Sequence, residues 1–243
     1  MIRFVNLKKQ FGERTILDGI DLTIKKGEIL FLLGASGVGK SVTLKLIVGL
    51  LRPTSGEIFV DGQNVTNFSE DEFLSIRRKC GMVFQHPALF DSLTVYDNVA
   101  FGLRKSLRMS EREIQARVQK CLSLVHVRDV EKKLPTEISY GTQKRVSLAR
   151  TIALQPDTLL FDEPTTGLDP ITTNAINQLI KELSRELQTT SVVVSHDMHC
   201  ALDIADHIVV LDKGSIVAQG TPAEIMASPH PLVRDFMAEV RGD

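Results

Sequence analysis

The chain has 243 residues, 43% of them hydrophobic and 24% charged, with 29 basic side chains against 30 acidic ones. That apolar fraction, with a net charge of −1, excludes intrinsic disorder. The missing basic excess excludes a general affinity for nucleic acid or anionic lipid, so any polyanion must be met by a few placed groups.

The length suits one large domain or two closely packed subdomains. The longest apolar runs, ILFLL at 29–33 and IVVL at 208–211, are strand-length, far short of the roughly 18 residues of a membrane span. The start, MIRFVNLKK, lacks the apolar stretch of a signal peptide. Cys80, Cys121 and Cys200 lie far apart with no CxxC spacing, which argues against a disulfide framework or zinc site and predicts a reducing cytosol.

In chain order, residues 1–33 read as strands broken by Gly12, Gly19 and Gly27. ILFLL then meets a glycine-rich turn and a helical pattern with Leu44, Ile47, Val48 and Leu51 on one face. EIFVDGQNV at 57–65 carries the turn signal Asp61-Gly62 at a strand end. From about 86 to 153 the character is helical, including a capping box of Ser110 with Glu113 and a stripe of Ile114, Val118, Cys121, Leu122 and Val125. Strands return at 158–162, 191–195 and 207–211, with a helix starting near Asp169-Pro170 between the first two. TPAE at 221–224 opens a further helix, and a last amphipathic segment carries Leu232, Val233, Phe236, Met237 and Val240. Strands alternating with helices predict an α/β fold with a largely parallel sheet covered on both faces. The helical middle reads as an insertion between the sheet's two halves.

GASGVGKS, running Gly34, Ala35, Ser36, Gly37, Val38, Gly39, Lys40, Ser41, matches the phosphate-loop pattern G-x4-G-K-[ST]. Glycines let successive backbone N–H groups converge on phosphate oxygens, and the next helix offers its positive N-terminus. Lys40 is placed to reach the β- and γ-phosphates, and Ser41 to ligate Mg²⁺. TLLFDE at 158–163 is an apolar strand ending in two carboxylates. Asp162 is placed for the Mg²⁺ shell and Glu163 to polarise the water attacking the γ-phosphate. No NKxD guanine-reading string is present, which argues against a GTPase.

ISYGTQKRVSLAR at 138–150 completes a pattern that resembles the ABC (ATP-binding cassette) ATPases, whose signature is LSGGQ followed by a helix. Ser139 and Gly141 match that signature, while Tyr140 replaces its first glycine and Thr142 stands where Gln or Met is usual. Gln85 in VFQ matches the family's loop that senses Mg²⁺ and the attacking water. Asp169 in TGLD matches the carboxylate of the loop facing the opposite subunit, and His196 after SVVVS matches the switch histidine at the γ-phosphate. Phe11 in KQFG stands where an aromatic ring stacks on adenine. Each also has a plainer reading: Ser139 and Asp169 as helix caps, Gln85 and His196 as strand-end residues, Phe11 as core. The resemblance covers nearly all of residues 2–220, with 221–243 a helical tail. It implies a P-loop NTPase fold with an N-terminal antiparallel β-subdomain and an inserted helical subdomain at about 86–153. It further implies ATP and Mg²⁺ as ligands, and a head-to-tail homodimer in which Ser139, Gly141 and Asp169 act in trans.

With no membrane span, transport requires separate membrane permease subunits. The segment FQHPALFDSLTVYDNVAFGLR offers Leu89, Phe90, Leu93, Val95 and Tyr96 either to such a partner or to the helical subdomain's own packing. This segment, with TTGLDPIT and PLVRDFM, is most similar to the ATPases of the maintenance-of-lipid-asymmetry (Mla) phospholipid transporters and their organic-solvent-tolerance relatives. That likeness implies a peripheral position on the cytoplasmic side of a bacterial inner membrane, with an MCE-domain lipid-binding protein and a STAS-domain regulator as further partners. Two alternatives remain open: an amino-acid or other small-solute importer, and a soluble ABC ATPase of the iron–sulfur assembly type. The last amphipathic segment would either grip a neighbouring subunit or fold on its own domain.

Overall fold

The structure, a computed structural model, describes residues 1–106 and 108–241, with the side chains of Ser106, Glu239, Val240 and Arg241 outside the description. Along the chain, β1 (Ile2–Phe11) and β2 (Arg14–Ile24) form a hairpin, and β3 (Ile29–Leu33) leads into α1 (Lys40–Ile47). Next come β4 (Ser55–Val60), β5 (Gln63–Asn64), α2 (Glu70–Lys79) and β6 (Cys80–Val83). The helices α3 (Val95–Ser106), α4 (Glu111–Leu124) and α5 (Tyr140–Ala153) follow. The chain then alternates β7 (Thr158–Asp162), α6 (Pro170–Glu186), β8 (Thr190–Ser195), α7 (Met198–Ile204) and β9 (His207–Asp212). It finishes with β10 (Ser215–Gly220), α8 (Pro222–Met226) and α9 (Pro231–Arg241).

Two sheets form. One is antiparallel with order β2-β1-β4-β5; the other has order β10-β9-β3-β8-β7-β6 and is parallel except where β10 joins β9. The expected split into a mostly parallel core and an N-terminal antiparallel layer is therefore what the chain adopts. Every residue of β3 and β8 is buried, which is the condition of a strand covered on both faces. Side chains alternate between two cores: Ile29, Phe31 and Leu33 pack with the helical layer, while Leu30 and Leu32 pack with α1, α2 and the antiparallel sheet. The helices α3, α4 and α5 lie in sequence between β6 and β7, which are hydrogen-bonded neighbours, so this segment is inserted between adjacent strands.

Both SxxE strings act as capping boxes. Ser110 caps α4 with Glu113, and Ser69 caps α2 with Glu72. In α9, Val233 and Met237 are buried in the same core as Ala201 and Ile204 of α7, so the tail folds back on its own chain. Val240 and the terminal Gly242 and Asp243 fall outside this description. Val95 is buried and Leu89 and Tyr96 pack against the core, while Phe90 stays exposed with its ring 4.7 Å from that of Phe101. Among the described residues no helix is long and apolar enough to cross a membrane.

Candidate active site

Parallel pairing decides where the chemistry gathers. Leu33 of β3 lies beside Ser195 of β8, and Asp162 of β7 beside Val194, so three strands end at one edge of the sheet. The loops leaving those ends carry Gly34, Glu163 and His196, at the position where open α/β sheets bind ligands. Val83 of β6 pairs with Phe161, which brings Gln85 to the same edge.

The loop from Gly34 to Ser41 is shaped by close approach. A Cβ on Gly34 would lie 2.5 Å from the Leu211 carbonyl oxygen, and one on Gly39 would lie 2.6 Å from Leu17 Cδ2. Gly39 also has φ +114°, a left-handed conformation that favours glycine, and it is the cap from which α1 starts. Lys40, the first residue of α1, is 5% exposed. Its ammonium donates to the carbonyls of Gly34 at 2.7 Å and Ala35 at 3.1 Å, and lies 3.3 Å from Glu163 Oε1. Val38 is half-buried and packs against the core that α1, α2 and the antiparallel sheet share.

The Ser41 hydroxyl donates to Asp162 Oδ1 at 2.6 Å. Glu163 has φ +49°, a strained setting for a non-glycine residue, fixed by its N–H donating to the Val194 carbonyl at 3.0 Å. Its Oε2 lies 2.8 Å from His196 Nδ1 and accepts from the Thr166 hydroxyl at 3.4 Å. A carboxylate only accepts, so the proton of this contact sits on His196 Nδ1.

One cleft is lined by Phe11, Ser36, Lys40, Gln85, Glu163 and His196, together with Gly37, Gly39 and Ser41 of the phosphate loop. Phe11 is 47% exposed at the end of β1, its face covered by the Lys9 ammonium at 4.7 Å, so it is no core residue. Asp162 reaches this cleft through Ser41. Ser139, Gly141 and Asp169 do not line it. Ser139 caps α5, accepting from the Thr142 N–H at 3.2 Å, and Asp169 caps α6, accepting from the Thr172 N–H at 3.0 Å. The Thr172 hydroxyl and N–H hold the Asp169 carboxyl below the usual carboxylate range. Gly141 packs against the first turn of α6, where a Cβ would lie 2.9 Å from Thr172 Cγ2.

Arg14, Ile16 and Thr166 also line the cleft and are absent from the sequence-derived set. Arg14 is the residue paired with Phe11 across the β1–β2 hairpin, a position that strand alternation could have flagged. Thr166 sits three residues beyond Glu163, within the TTGLD string. Lys144 was also missed. It is 6% exposed, and burial pushes its ammonium down to about 8.

Among the described residues no three His, Cys, Asp or Glu side chains converge on a common point. Mg²⁺ does not require such a cage. It takes hard oxygen ligands, completed by waters and substrate phosphates. The adjoining Ser41 hydroxyl and Asp162 carboxylate, beside a glycine loop that a Cβ would fill, fit that ion and a polyphosphate.

A glycine phosphate loop, a paired carboxylate and a histidine at the ends of parallel strands, with a helical insertion, define a nucleotide-hydrolysing P-loop cassette. The model of the ABC transporter family matches residues 17–166, and the chain belongs to that family. It is the ATP-binding subunit of an ABC transporter, in a family that hydrolyses ATP and whose ATPases dimerise and work with membrane permease subunits. The chain is 43% identical to the methionine import ATP-binding protein MetN of Carboxydothermus hydrogenoformans, over 99% of this chain and 72% of that relative. It is 41% identical to the intermembrane phospholipid transport system ATP-binding protein MlaF of Haemophilus influenzae, over 98% of this chain and 90% of that relative. Among solved structures it resembles the dimeric post-hydrolysis state of the ATP-binding cassette MJ0796 bound to ADP and Pi, with TM-score 0.82 and 35% identity over 91% of this chain and 99% of that one.

Proposed function

We propose that this chain is the ATPase of a phospholipid transporter, acting as a homodimer beneath a pair of permease subunits on the cytoplasmic side of a bacterial inner membrane. An MCE-domain lipid-binding protein and a STAS-domain regulator complete the assembly on this reading. The similarity to the intermembrane phospholipid transport ATPase, extending over almost the whole chain, supports the cargo. The convergence of Lys40, Glu163 and His196 in one cleft carries the chemistry.

In the proposed reaction the backbone N–H groups from Ser36 to Ser41 and the N-terminus of α1 receive the phosphates of ATP. The Lys40 ammonium turns from the loop carbonyls to the β- and γ-phosphate oxygens. Ser41, Asp162 and Gln85 would hold Mg²⁺, which neutralises phosphate charge. Glu163 accepts the proton of the attacking water, while His196 Nδ1–H holds that carboxylate in place and stabilises the charge it gathers. Phe11 stacks on adenine. Ser139, Gly141 and Asp169 serve the nucleotide held by the other subunit, where α5 presents its N-terminus to the γ-phosphate.

Affinity purification of the chain from native membranes tests the cargo. The expected result is co-purification with permease and MCE subunits and bound phospholipid. Recovery with a solute-binding protein and no phospholipid would contradict it. That outcome would favour amino-acid import, the reading to which the similarity with the methionine importer points.

A further inference from the structure

Lys144 lies on α5, one turn beyond Tyr140, and joins two loops that come from different strands. Its ammonium donates to the Gln85 carbonyl at 2.9 Å, in the loop after β6, and to the Pro164 carbonyl at 2.7 Å, in the loop after β7. Lys144 lines one small, mainly apolar cavity with Val83, Leu148, Phe161, Ile176 and Ile180. The Tyr140 ring closes the third side, 5.4 Å from the ammonium. Tyr140 itself meets both loops: its hydroxyl is 3.3 Å from His86 Nδ1, and its ring edge would be 3.7 Å from a Cβ on Gly167. Among the described residues no carboxylate pairs with Lys144, so its partners are two main-chain carbonyls and an aromatic face.

Burying an ammonium without a counter-ion is unfavourable, and the arrangement persists where the geometry it fixes matters. Here it fixes the backbone around a strained residue. Glu163, at φ +49°, is held on one side by its own N–H to Val194 and on the other by the Pro164 carbonyl on Lys144. The same ammonium sets the peptide that carries Gln85. Lys144 touches neither nucleotide nor water in the proposed reaction, so it acts through these two neighbours.

We propose that Lys144 is a positioning residue for ATP hydrolysis, tying the Gln85 and Glu163 loops to the first turns of α5, with Tyr140 packed over the tie. Gln85 and Glu163 are thereby presented to one nucleotide in a fixed relation to Ser139 and Gly141, which face the other subunit. The inference rests on the roles proposed above for those residues.

Steady-state ATPase kinetics on the full chain test it, with thermal unfolding and ATP titration run on each variant. Lys144→Met keeps the stem's volume and removes both donations. Its kcat is expected to fall roughly 10- to 100-fold, with KM and ATP affinity within about threefold, because the loss is one of positioning. Lys144→Arg, whose fork can still donate to both carbonyls, is expected to recover most of the rate. If Lys144→Met unfolds at assay temperature, Lys144→Gln, which keeps a neutral donor, takes its place with the same expectation of lowered kcat at retained affinity. An unchanged kcat, a loss confined to KM, or Lys144→Arg no better than Lys144→Met would each overturn the inference. Lys40→Ala separates it from the site reading: ATP affinity must collapse there. If affinity survives in Lys40→Ala, the site reading fails; if it collapses while Lys144→Met turns over normally, only the present inference fails.

Discussion

One added methyl group distinguishes a phosphate loop from an ordinary glycine turn. At Gly39 a Cβ would sit 2.6 Å from Leu17 Cδ2 and 3.2 Å from the Ile16 carbonyl, at φ +114°. Gly39→Ala must therefore move the loop or the β2 backbone, at a cost of about 1–3 kcal/mol. Thermal unfolding is expected to shift down by several degrees, and a nucleotide titration to show affinity largely lost. Gly62→Ala, in the β4–β5 turn where a Cβ meets no atom within 4 Å but φ is +82°, is the control expected to lose some stability while keeping full affinity. Residues of this kind were legible because the loop's chemistry is local: spacing and residue type suffice for Gly34 to Ser41. Lys144 was illegible for the opposite reason. In the string QKRVSLAR a lysine beside an arginine reads as a solvated pair. Only the meeting of loops 59 and 20 residues away in sequence makes it a buried tie. Phe11 is intermediate: its residue type suggested stacking or core, and its exposure on a hairpin tip removes the second.

At the scale of elements, the helices announce themselves through their caps. Ser110 accepts from the Glu113 N–H while the Glu113 carboxylate accepts from the Ser110 N–H at 2.7 Å, closing α4's first turn. Ser110→Ala is expected to lower stability by about 1 kcal/mol, read as a downward shift of a few degrees in Tm. The Ser110 hydroxyl and N–H hold the Glu113 carboxyl below its usual 4.5. A carboxylate with a lowered folded-state pKa contributes stability above its unfolded value and loses it as pH falls through the folded one. The gap between wild type and Ser110→Ala is therefore expected to be full at pH 7 and to narrow below about pH 4.5, which Tm measured across that range checks. The same spacing at Ser69 and Glu72 caps α2, yet α2 escaped the periodicity reading. Only Phe73 and Ile76 of its ten residues are buried, too few to make a stripe. Strand identity was legible in the pattern of residues 1–33, whereas the partition between sheets was expected only from the family resemblance, because the pattern alone does not carry it. That depends on pairings such as Ile2 with Val60 and Leu30 with Val192, which join residues far apart in the chain. The tail's fold onto α7 was equally undecidable from an amphipathic stripe, because a stripe shows that a face is covered without showing by what.

At the scale of the molecule, near-neutral charge and a polyanionic substrate are compatible on the proposed reading, in which the charge that meets ATP is local. The buried Lys40, the loop's N–H groups and the start of α1 all sit at one sheet edge. The chain's own cleft gathers Phe11, the phosphate loop, Gln85, Glu163 and His196, while Ser139, Gly141 and Asp169 head α5 and α6 outside it. On the proposed reading that separation is the reason for a homodimer: each nucleotide needs the loop of one subunit and the signature of the other. Hydrolysis then hinges on Glu163, whose carboxylate is held by His196 and Thr166 at a strained backbone position. The most direct test is Glu163→Gln, which keeps the shape and removes the base. ATP titration, turnover and ATP-dependent size-exclusion chromatography are measured on the same preparation. The expected result is ATP affinity near that of wild type, turnover reduced about 10²- to 10⁴-fold, and a dimer that persists in ATP. Undiminished turnover in Glu163→Gln would contradict the assignment of Glu163 as the base and, with it, the proposed mechanism.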